Sequence, residues 1–326
     1  MSALAPEPVP PGRAVAGGRI SGGEGSGDRS TAGLLAVLGA GPDAVRGHLR
    51  DTYVLEAIDH LDRAGVDPVW FADRHSLLLL KPDAIVGRCV DLTLRWLAEH
   101  GWRVVGAVRV PAQRHLARAL WAESWATASP ERRRLADLLV GICDALLLVV
   151  TDREVGAADP EPAAVRLTRE KGPTAPAARA PGQLRHLLGQ HSYLLNLVHT
   201  PDTRVDVLRE WAIDCDERAR SGLLADLVAP TPESEIVATA RSLADELYAA
   251  APAASFSRAA AVRRIVADLR AAGADPGEID PADDVACADL VHTAWASSRH
   301  PDPWSVIVVG SYVLPMTTDP TLRRTR

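Results

Sequence analysis

Strand-like apolar runs alternating with amphipathic segments predict an α+β fold: a split-βαβ, ferredoxin-like sheet backed by helices, then a mostly helical C-terminal region. Three observations carry this expectation. Residues 77–80 and 145–150 are continuous apolar runs, suited to central strands covered on both faces. Residues 102–110 and 193–198 are two further strand-like stretches. Helical periodicity fills the gaps, and beyond Gly222 it takes over in long Ala-rich segments.

Residues 1–30 are rich in Pro, Gly and Ser and read as a flexible arm that cannot bury enough surface to order. Residues 31–69 read as a helical extension. A short piece covers 31–39, and a second covers 43–64 with Val45, Leu49, Val54, Leu55, Ile58 and Leu61 as its stripe and Gly65 as its stop. The main domain spans 70–221. Its first strand ends at Lys81-Pro82-Asp83, because Pro cannot donate to a ladder and biases its predecessor to extended geometry. Residues 88–100 form a helix with Val90, Leu94 and Leu97 inward and Gly101 as its cap. After the strand at 102–110 come helices at 113–125 and 130–142, the strand at 145–150 and a loop at 152–161. A helix follows at 162–169, then an ordered Pro-, Ala- and Gly-rich loop at 172–182 and a helical turn at 183–189. The fourth strand and a helix over 203–220 close the domain. Residues 222–326 form the C-terminal region, with helices at 233–250, 257–272 and 286–297, an acidic turn at 276–284 and a strand-like run at 304–313.

Composition narrows the function. A net charge of −6 and a pI near 5.9 argue against a general nucleic-acid binder, which would show a basic stripe. No apolar run reaches the ~18–20 residues of a membrane span, and the N-terminus lacks the apolar core of a signal peptide. Cys89, Cys143, Cys215 and Cys287 lie far apart without metal or redox spacing, which fits buried thiols in a reducing cytoplasm. Lys81 and Lys171 are the two lysines among 36 basic residues, leaving 34 arginines. A compact ammonium in that background invites the question of what it does that a forked guanidinium cannot.

The chain is organised around Asn196-Leu197-Val198-His199-Thr200-Pro201-Asp202, an imidazole after a strand-like run and before a Pro-Asp turn. Its company raises His199 above the other histidines: Lys81-Pro82-Asp83 upstream, with Thr174, Pro181-Gly182 and Arg185 between. Taken singly, these residues read as turn chemistry, solvated charges and an exposed helix face.

Together they resemble the nucleoside diphosphate kinase family across residues 76–220. Leu77 to Ala84 is similar to the family's first strand and Lys-Pro-Asp turn. Lys171-Gly172-Pro173-Thr174-Ala175-Pro176 resembles its Gly-x-Thr-x-Pro segment, and Pro181-Gly182-Gln183-Leu184-Arg185 its Pro-Gly-Thr-Ile-Arg. Asn196 to His199 resembles Asn-x-x-His, and Glu210 falls where the family's helix carries Glu. The resemblance implies that His199 is a nucleophile taking the γ-phosphoryl of ATP or another nucleoside triphosphate and passing it to a diphosphate, with ping-pong kinetics. It implies that Glu210 orients the imidazole and leaves the other ring nitrogen free. Arg185 and Thr174 would bind phosphate, with Arg166 or Arg169 as a second cation. Lys81 and Asn196 would hold ribose hydroxyls and nearby phosphate, and Trp121 falls near the family's active-site Tyr. Mg²⁺ would ride on the phosphates rather than on dedicated protein ligands. The family also implies a homo-oligomer, unless the extensions cap those contacts.

The sequence departs from the family at several points. Pro201 stands where the family has Ser, and Arg185-His186-Leu187-Leu188 replaces Arg-Gly-Asp-Phe. The base-stacking Phe is missing, which leaves Trp125 or Tyr193 to replace it or to pack a core. These departures keep two expectations open. One is a phosphotransferase acting on nucleotide substrates. The other is a catalytically weak binding module whose extensions hold a protein partner.

Overall fold

The computed structural model describes residues 30–153, 161–189, 191–229 and 231–318. The arm expected at 1–30, apart from Ser30, and most of the loop expected at 152–161 lie outside the described residues. Among the described residues four helices precede the sheet: α1 (Thr31–Val37), α2 (Pro42–His48), α3 (Thr52–Arg63) and α4 (Pro68–Arg74). The helix expected over 43–64 is therefore two. Asp51 breaks it because its carboxylate caps α3 at the Tyr53 amide, 3.0 Å away.

The domain continues with β1 (His75–Leu80), α5 (Pro82–Val86), α6 (Val90–Glu99), β2 (Trp102–Val110), α7 (Arg114–Leu120), α8 (Ala122–Thr127), α9 (Pro130–Leu139) and β3 (Ala145–Asp152). Next come α10 (Ala163–Lys171), α11 (Leu184–Leu188), β4 (Val198–His199), α12 (Arg204–Asp214) and α13 (Glu217–Val228). The sheet runs β2-β3-β1-β4, and each described neighbour pair is antiparallel. This is the split-βαβ order expected from the sequence. Leu77 faces Val149 and Leu79 faces Leu147 across the central pair. The β2 register shifts between Val104 and Gly106. A Cβ on Gly106 would meet Leu223 Cδ2 at 2.6 Å, so glycine lets α13 approach the strand.

Alternation along the strands separates two cores. Leu77, Leu79, Leu147 and Val149 pack with Leu61, Phe71, Leu208 and Trp211 of α3, α4 and α12. Leu78, Leu80, Leu146 and Leu148 pack on the other face with Leu94 and Leu97 of α6 and Leu167 of α10.

The C-terminal helices are α14 (Glu233–Ala250), α15 (Arg258–Ala271), α16 (Asp284–Ala296) and α17 (Pro303–Val313). The strand expected at 304–313 is thus helix α17. A β-branched apolar run fits either form. Asp302 decides it by accepting from the Ser305 amide at 2.9 Å, with Pro303 at the first helical position. The helix expected over 203–220 divides into α12 and α13, because Asp216 caps a new start at the Ala219 amide. The fourth strand is also shorter than the expected 193–198. Leu197 adopts φ +68°, and Leu195 turns into a third core beside Trp304 and Ile307. No helix among the described residues is long and apolar enough to cross a membrane.

Candidate active site

The site forms where β1 ends and β4 begins. His199 pairs with Leu79 and Val198 with Leu80, so the imidazole rises from the sheet beside Lys81. Leu197 is held in its left-handed conformation from both sides. Its amide donates to Asp83 Oδ2 at 2.9 Å, and its carbonyl accepts from the Lys81 amide at 2.9 Å. A non-glycine residue at positive φ costs on the order of 1–3 kcal/mol and persists only when its surroundings over-determine it. The Lys-Pro-Asp turn supplies that constraint, so Asp83 positions the histidine through its backbone.

Helix α12 brings the partner carboxylate. Thr203 and Asp206 form a reciprocal capping box at its start. One turn beyond Asp206, Glu210 faces inward, and its Oε2 lies 2.9 Å from His199 Nε2. His199 Nδ1 has no hydrogen-bond partner among the described residues. Trp121, at the break between α7 and α8, meets the imidazole edge-on at 5.6 Å between centroids.

The cations are buried. Arg185 of α11 is 4% exposed. It donates to the carbonyls of Gly172 (3.0 Å) and Val198 (2.6 Å) and to Thr174 Oγ1 (3.2 Å). Its Nε has no hydrogen-bond partner among the described residues. Asn196 Oδ1 stands 3.5 Å from the same guanidinium. Lys81 donates to the Leu194 carbonyl at 3.2 Å and lies 3.4 Å from Asp83 Oδ2. Burial, and then the Lys171 ammonium and the Arg185 guanidinium, hold the His199 imidazole well below its usual range, so it is neutral at pH 7. Burial, with the Asp206 carboxylate next, pushes Glu210 well above the usual carboxylate range.

The structure therefore brings together His199, Glu210, Trp121, Lys81, Thr174, Arg185 and Asn196. It does not bring Arg166 and Arg169 to them. Arg166 pairs with Asp152 and with Glu170 at 2.8 Å, and it lies over Trp102. Arg169 is exposed and pairs with Glu161 at 2.7 Å. Both point off α10 toward acids that its periodicity does not reveal. Trp125 and Tyr193 carry guanidinium groups on their rings, Arg118 at 5.0 Å and Arg132 at 5.3 Å. Lys171, Thr168 and Thr200 also stand beside the imidazole, although none of them is among the site residues expected from the sequence. Lys171 Nζ donates to Thr200 Oγ1 at 2.6 Å, on the residue next to His199. The scarcity of lysine was the available signal.

The donor set suits an anion: two lysines, an arginine and hydroxyl and amide groups surround the imidazole. Asp202 is the exposed carboxylate at their rim, 4.0 Å from Lys171. Such a lining fits phosphates that bring their own Mg²⁺. Clefts of about 440 and 530 Å³ lie elsewhere, around Trp70 and Arg103 and along Ala107 and Asp216. They hold none of these residues, so the site is defined by its chemistry rather than by its volume.

Residues 74–218 match the sequence model of the nucleoside diphosphate kinase family. Solved structures with similar folds include the nucleoside diphosphate kinase of Aquifex aeolicus, at 17% identity and TM-score 0.37 over 45% of this chain and 97% of that one. The enzyme of Pyrobaculum aerophilum is 20% identical at TM-score 0.36, over 45% of this chain and 97% of that one. The enzyme of Borrelia burgdorferi, solved with vanadate and ADP, is 17% identical at TM-score 0.38, over 45% and 89%. No curated protein matches the chain. The family model and the β2-β3-β1-β4 sheet within its span agree: residues 74–218 form a distant nucleoside diphosphate kinase-like domain inside a longer chain.

Proposed function

We propose that the protein is a phosphotransferase that moves the γ-phosphoryl group of a nucleoside triphosphate through His199 to a nucleoside diphosphate or a related acceptor. One observation carries the reading: Glu210 engages His199 Nε2 and leaves Nδ1 open, beside buried cations. The Nδ1 lone pair attacks the γ-phosphorus and an N–P bond forms. The bond from phosphorus to the β,γ-bridging oxygen breaks, and its electron pair leaves with the diphosphate. The acceptor's terminal oxygen then attacks the phosphohistidine, and the N–P electrons return to Nδ1. Arg185 and Thr174 would hold phosphoryl oxygens, and Lys81 and Asn196 the ribose and nearby phosphate. Mg²⁺ arrives on the nucleotide and neutralises phosphate charge.

Incubation with γ-³²P-labelled ATP and Mg²⁺ tests the reading. The expected result is an acid-labile, alkali-stable label on the full chain, absent from His199→Ala and chased by added GDP or UDP. Label that forms but does not chase keeps the phosphohistidine and redirects the search to another acceptor.

The His199–Glu210 pair makes labelling pH-dependent. With Glu210 ionised, the ring proton sits on Nε2 and Nδ1 is free. With Glu210 protonated, the carboxyl donates to Nε2 and the ring proton moves to Nδ1. Labelling is therefore expected to rise with pH as the pair loses its proton. Glu210→Gln lets an amide N–H take the place of that donor, and it is expected to slow labelling by on the order of 10²–10⁴-fold, the scale of a wrong-tautomer defect in a catalytic triad. Equal rates across the acid range and in Glu210→Gln would remove Glu210 from the mechanism.

A second reading has its own observation. Arg179 and Arg185 already rest on backbone carbonyls, as does Lys81. A site satisfied in this way suits a binding module, and complete absence of label on wild type would favour it.

A further inference from the structure

Both lysines of this arginine-rich chain lie at one place. Lys81 follows β1 at the start of α5, Lys171 ends α10 about two turns of helix beyond Ala164, and the charges of both act on His199. Gly172 follows at φ +88°, turns the chain, and offers its carbonyl to Arg185. The helix thus stops with the lysine directed at the loop after His199. Lys171 is 4% exposed. Its Nζ donates to Thr200 Oγ1 at 2.6 Å. Thr200 Oγ1 lies 2.6 Å from Thr168 Oγ1, which itself donates to the Pro201 carbonyl at 2.9 Å. Donation therefore runs one way: from Lys171 to Thr200, from Thr200 to Thr168, and from Thr168 to Pro201. Pro201 cannot offer a side-chain hydrogen bond, and Thr200 makes the contacts on this side of His199.

One ammonium proton is thereby used. The nearest carboxylate oxygen among the described residues, Asp202 Oδ1, is 4.0 Å away, too far for a hydrogen bond, and its side chain is mostly exposed. The remaining donors have no hydrogen-bond acceptor among the described residues. A buried ammonium with spare donors is expensive unless a ligand satisfies it. Meanwhile the arginines of the same helix face elsewhere: Arg166 is held by Asp152 and Glu170, and Arg169 by Glu161.

We propose that Lys171 is a catalytic residue of the phosphoryl transfer at His199, its ammonium binding an equatorial oxygen of the transferring group. The proposal rests on the phospho-His199 reading. Lys171 keeps its proton throughout. In both half-reactions the N–P and P–O bonds exchange as described above, and Lys171 donates a hydrogen bond to the oxygens on which negative charge spreads. A point charge fits this place better than a fork, because Thr200 already takes one donor and a single phosphoryl oxygen needs another.

The placement carries a pH signature. Burial, then the Arg185 guanidinium, lowers the amine to about 7, against the opposing carboxylates of Asp202 and Glu210. The lysine is charged below that value and loses its charge as pH rises through it. Second-order labelling of the free enzyme should therefore fall above about pH 7, the alkaline limb opposite to the acid limb from Glu210.

The test uses the full chain with γ-³²P-labelled ATP and Mg²⁺, as wild type, Lys171→Met and His199→Ala across pH 5.5 to about 9, the span over which histidine and a depressed lysine titrate. Lys171→Met is expected to slow labelling of His199 by on the order of 10²–10³-fold, as loss of one such donor does elsewhere, and to abolish the alkaline limb. A second measurement does not depend on that variant folding. With two lysines in the chain, lysine-selective ¹⁵N labelling gives two ammonium signals. One should titrate near 7 and move upward when the imido-bridged ATP analogue and Mg²⁺ are added. Wild-type labelling without the limb, a folded Lys171→Met labelled at the wild-type rate, or lysine signals indifferent to the analogue would each overturn the role of Lys171 alone. Wild type that binds no phosphoryl on His199 would overturn the parent reading and this role together.

Discussion

Replacing Arg185 with methionine is expected to stop phosphorylation of His199 and to lower the melting temperature by roughly 4–24 °C. The guanidinium joins three segments: the Gly172 carbonyl after α10, the Thr174 hydroxyl in the following loop and the Val198 carbonyl of β4. Methionine fills much of the volume and leaves both carbonyls without a donor. Each unsatisfied buried group costs about 1–3 kcal/mol, against a total stability of about 5–15 kcal/mol. At about 2–4 °C per kcal/mol for a chain somewhat smaller than this one, the stated shift follows. Burial and the nearby Arg179 guanidinium lower Arg185 to about 10, so it still carries its charge at pH 7. Loss of activity must be separated from loss of fold. Labelling is therefore measured at a temperature where circular dichroism shows the variant folded. Arg185→Lys separates the two roles further. It keeps a charge for phosphate, but one ammonium cannot span Gly172 and Val198 as the fork does, so it should restore part of the labelling and little of the stability. A methionine variant with wild-type melting and wild-type labelling would show that Arg185 is neither strut nor phosphate ligand.

The sequence revealed the parts of the fold that rest on local periodicity. Strand β2 coincides with its expected run, its alternate residues entering one core at Trp102 and Val104 and the other at Val105 and Val110, and α14 coincides with its Ala-rich stripe, which buries Ile236, Ala240, Ala244 and Leu247 on one face. It was ambiguous at Trp304 to Val313. A segment buried on all sides has no polar face to reveal its period, and the deciding residue, Asp302, is a cap outside the run. Strand β4 is shorter than its apolar run for a different reason. Its two residues are fixed by the contacts of Leu197 with Lys81 and Asp83, more than a hundred positions away. The site divides in the same way. The family resemblance pointed to His199 and Glu210, and a short strand, a turn and a capped helix set them 2.9 Å apart over eleven residues. Lys171 was hidden because it reaches Thr200 through the close of α10 at Gly172. Arg166 and Arg169 look like phosphate cations until Asp152, Glu170 and Glu161 are seen beside them.

A chain ending at residue 229 is expected not to fold, although it would keep every residue of the nucleoside diphosphate kinase-like domain. The C-terminal helices build part of that domain's own interior. Ile236, Ala240, Ala244 and Leu247 form one stripe of α14 and join the core under Leu146 and Leu148. Val86, Leu135, Leu139 and Leu195 from the domain are buried in the third core with α15, α16 and α17. Uncovering these four side chains alone costs about 1.5–3 kcal/mol each, on the order of 6–12 kcal/mol together. That is comparable to the whole stability of a folded protein. The damage also reaches the chemistry, since Leu195 anchors the loop whose next residues are Asn196, Leu197, Val198 and His199. The expected result is insoluble or molten protein, with no cooperative unfolding transition by circular dichroism and no label from γ-³²P ATP. Leu195→Ala is the milder probe. It should cost about 2–5 kcal/mol and slow labelling of His199 by loosening the loop, while leaving Glu210 and Lys171 in place. A soluble 229-residue chain that unfolds cooperatively and labels at the wild-type rate would make residues 231–318 a separate unit, whatever their packing.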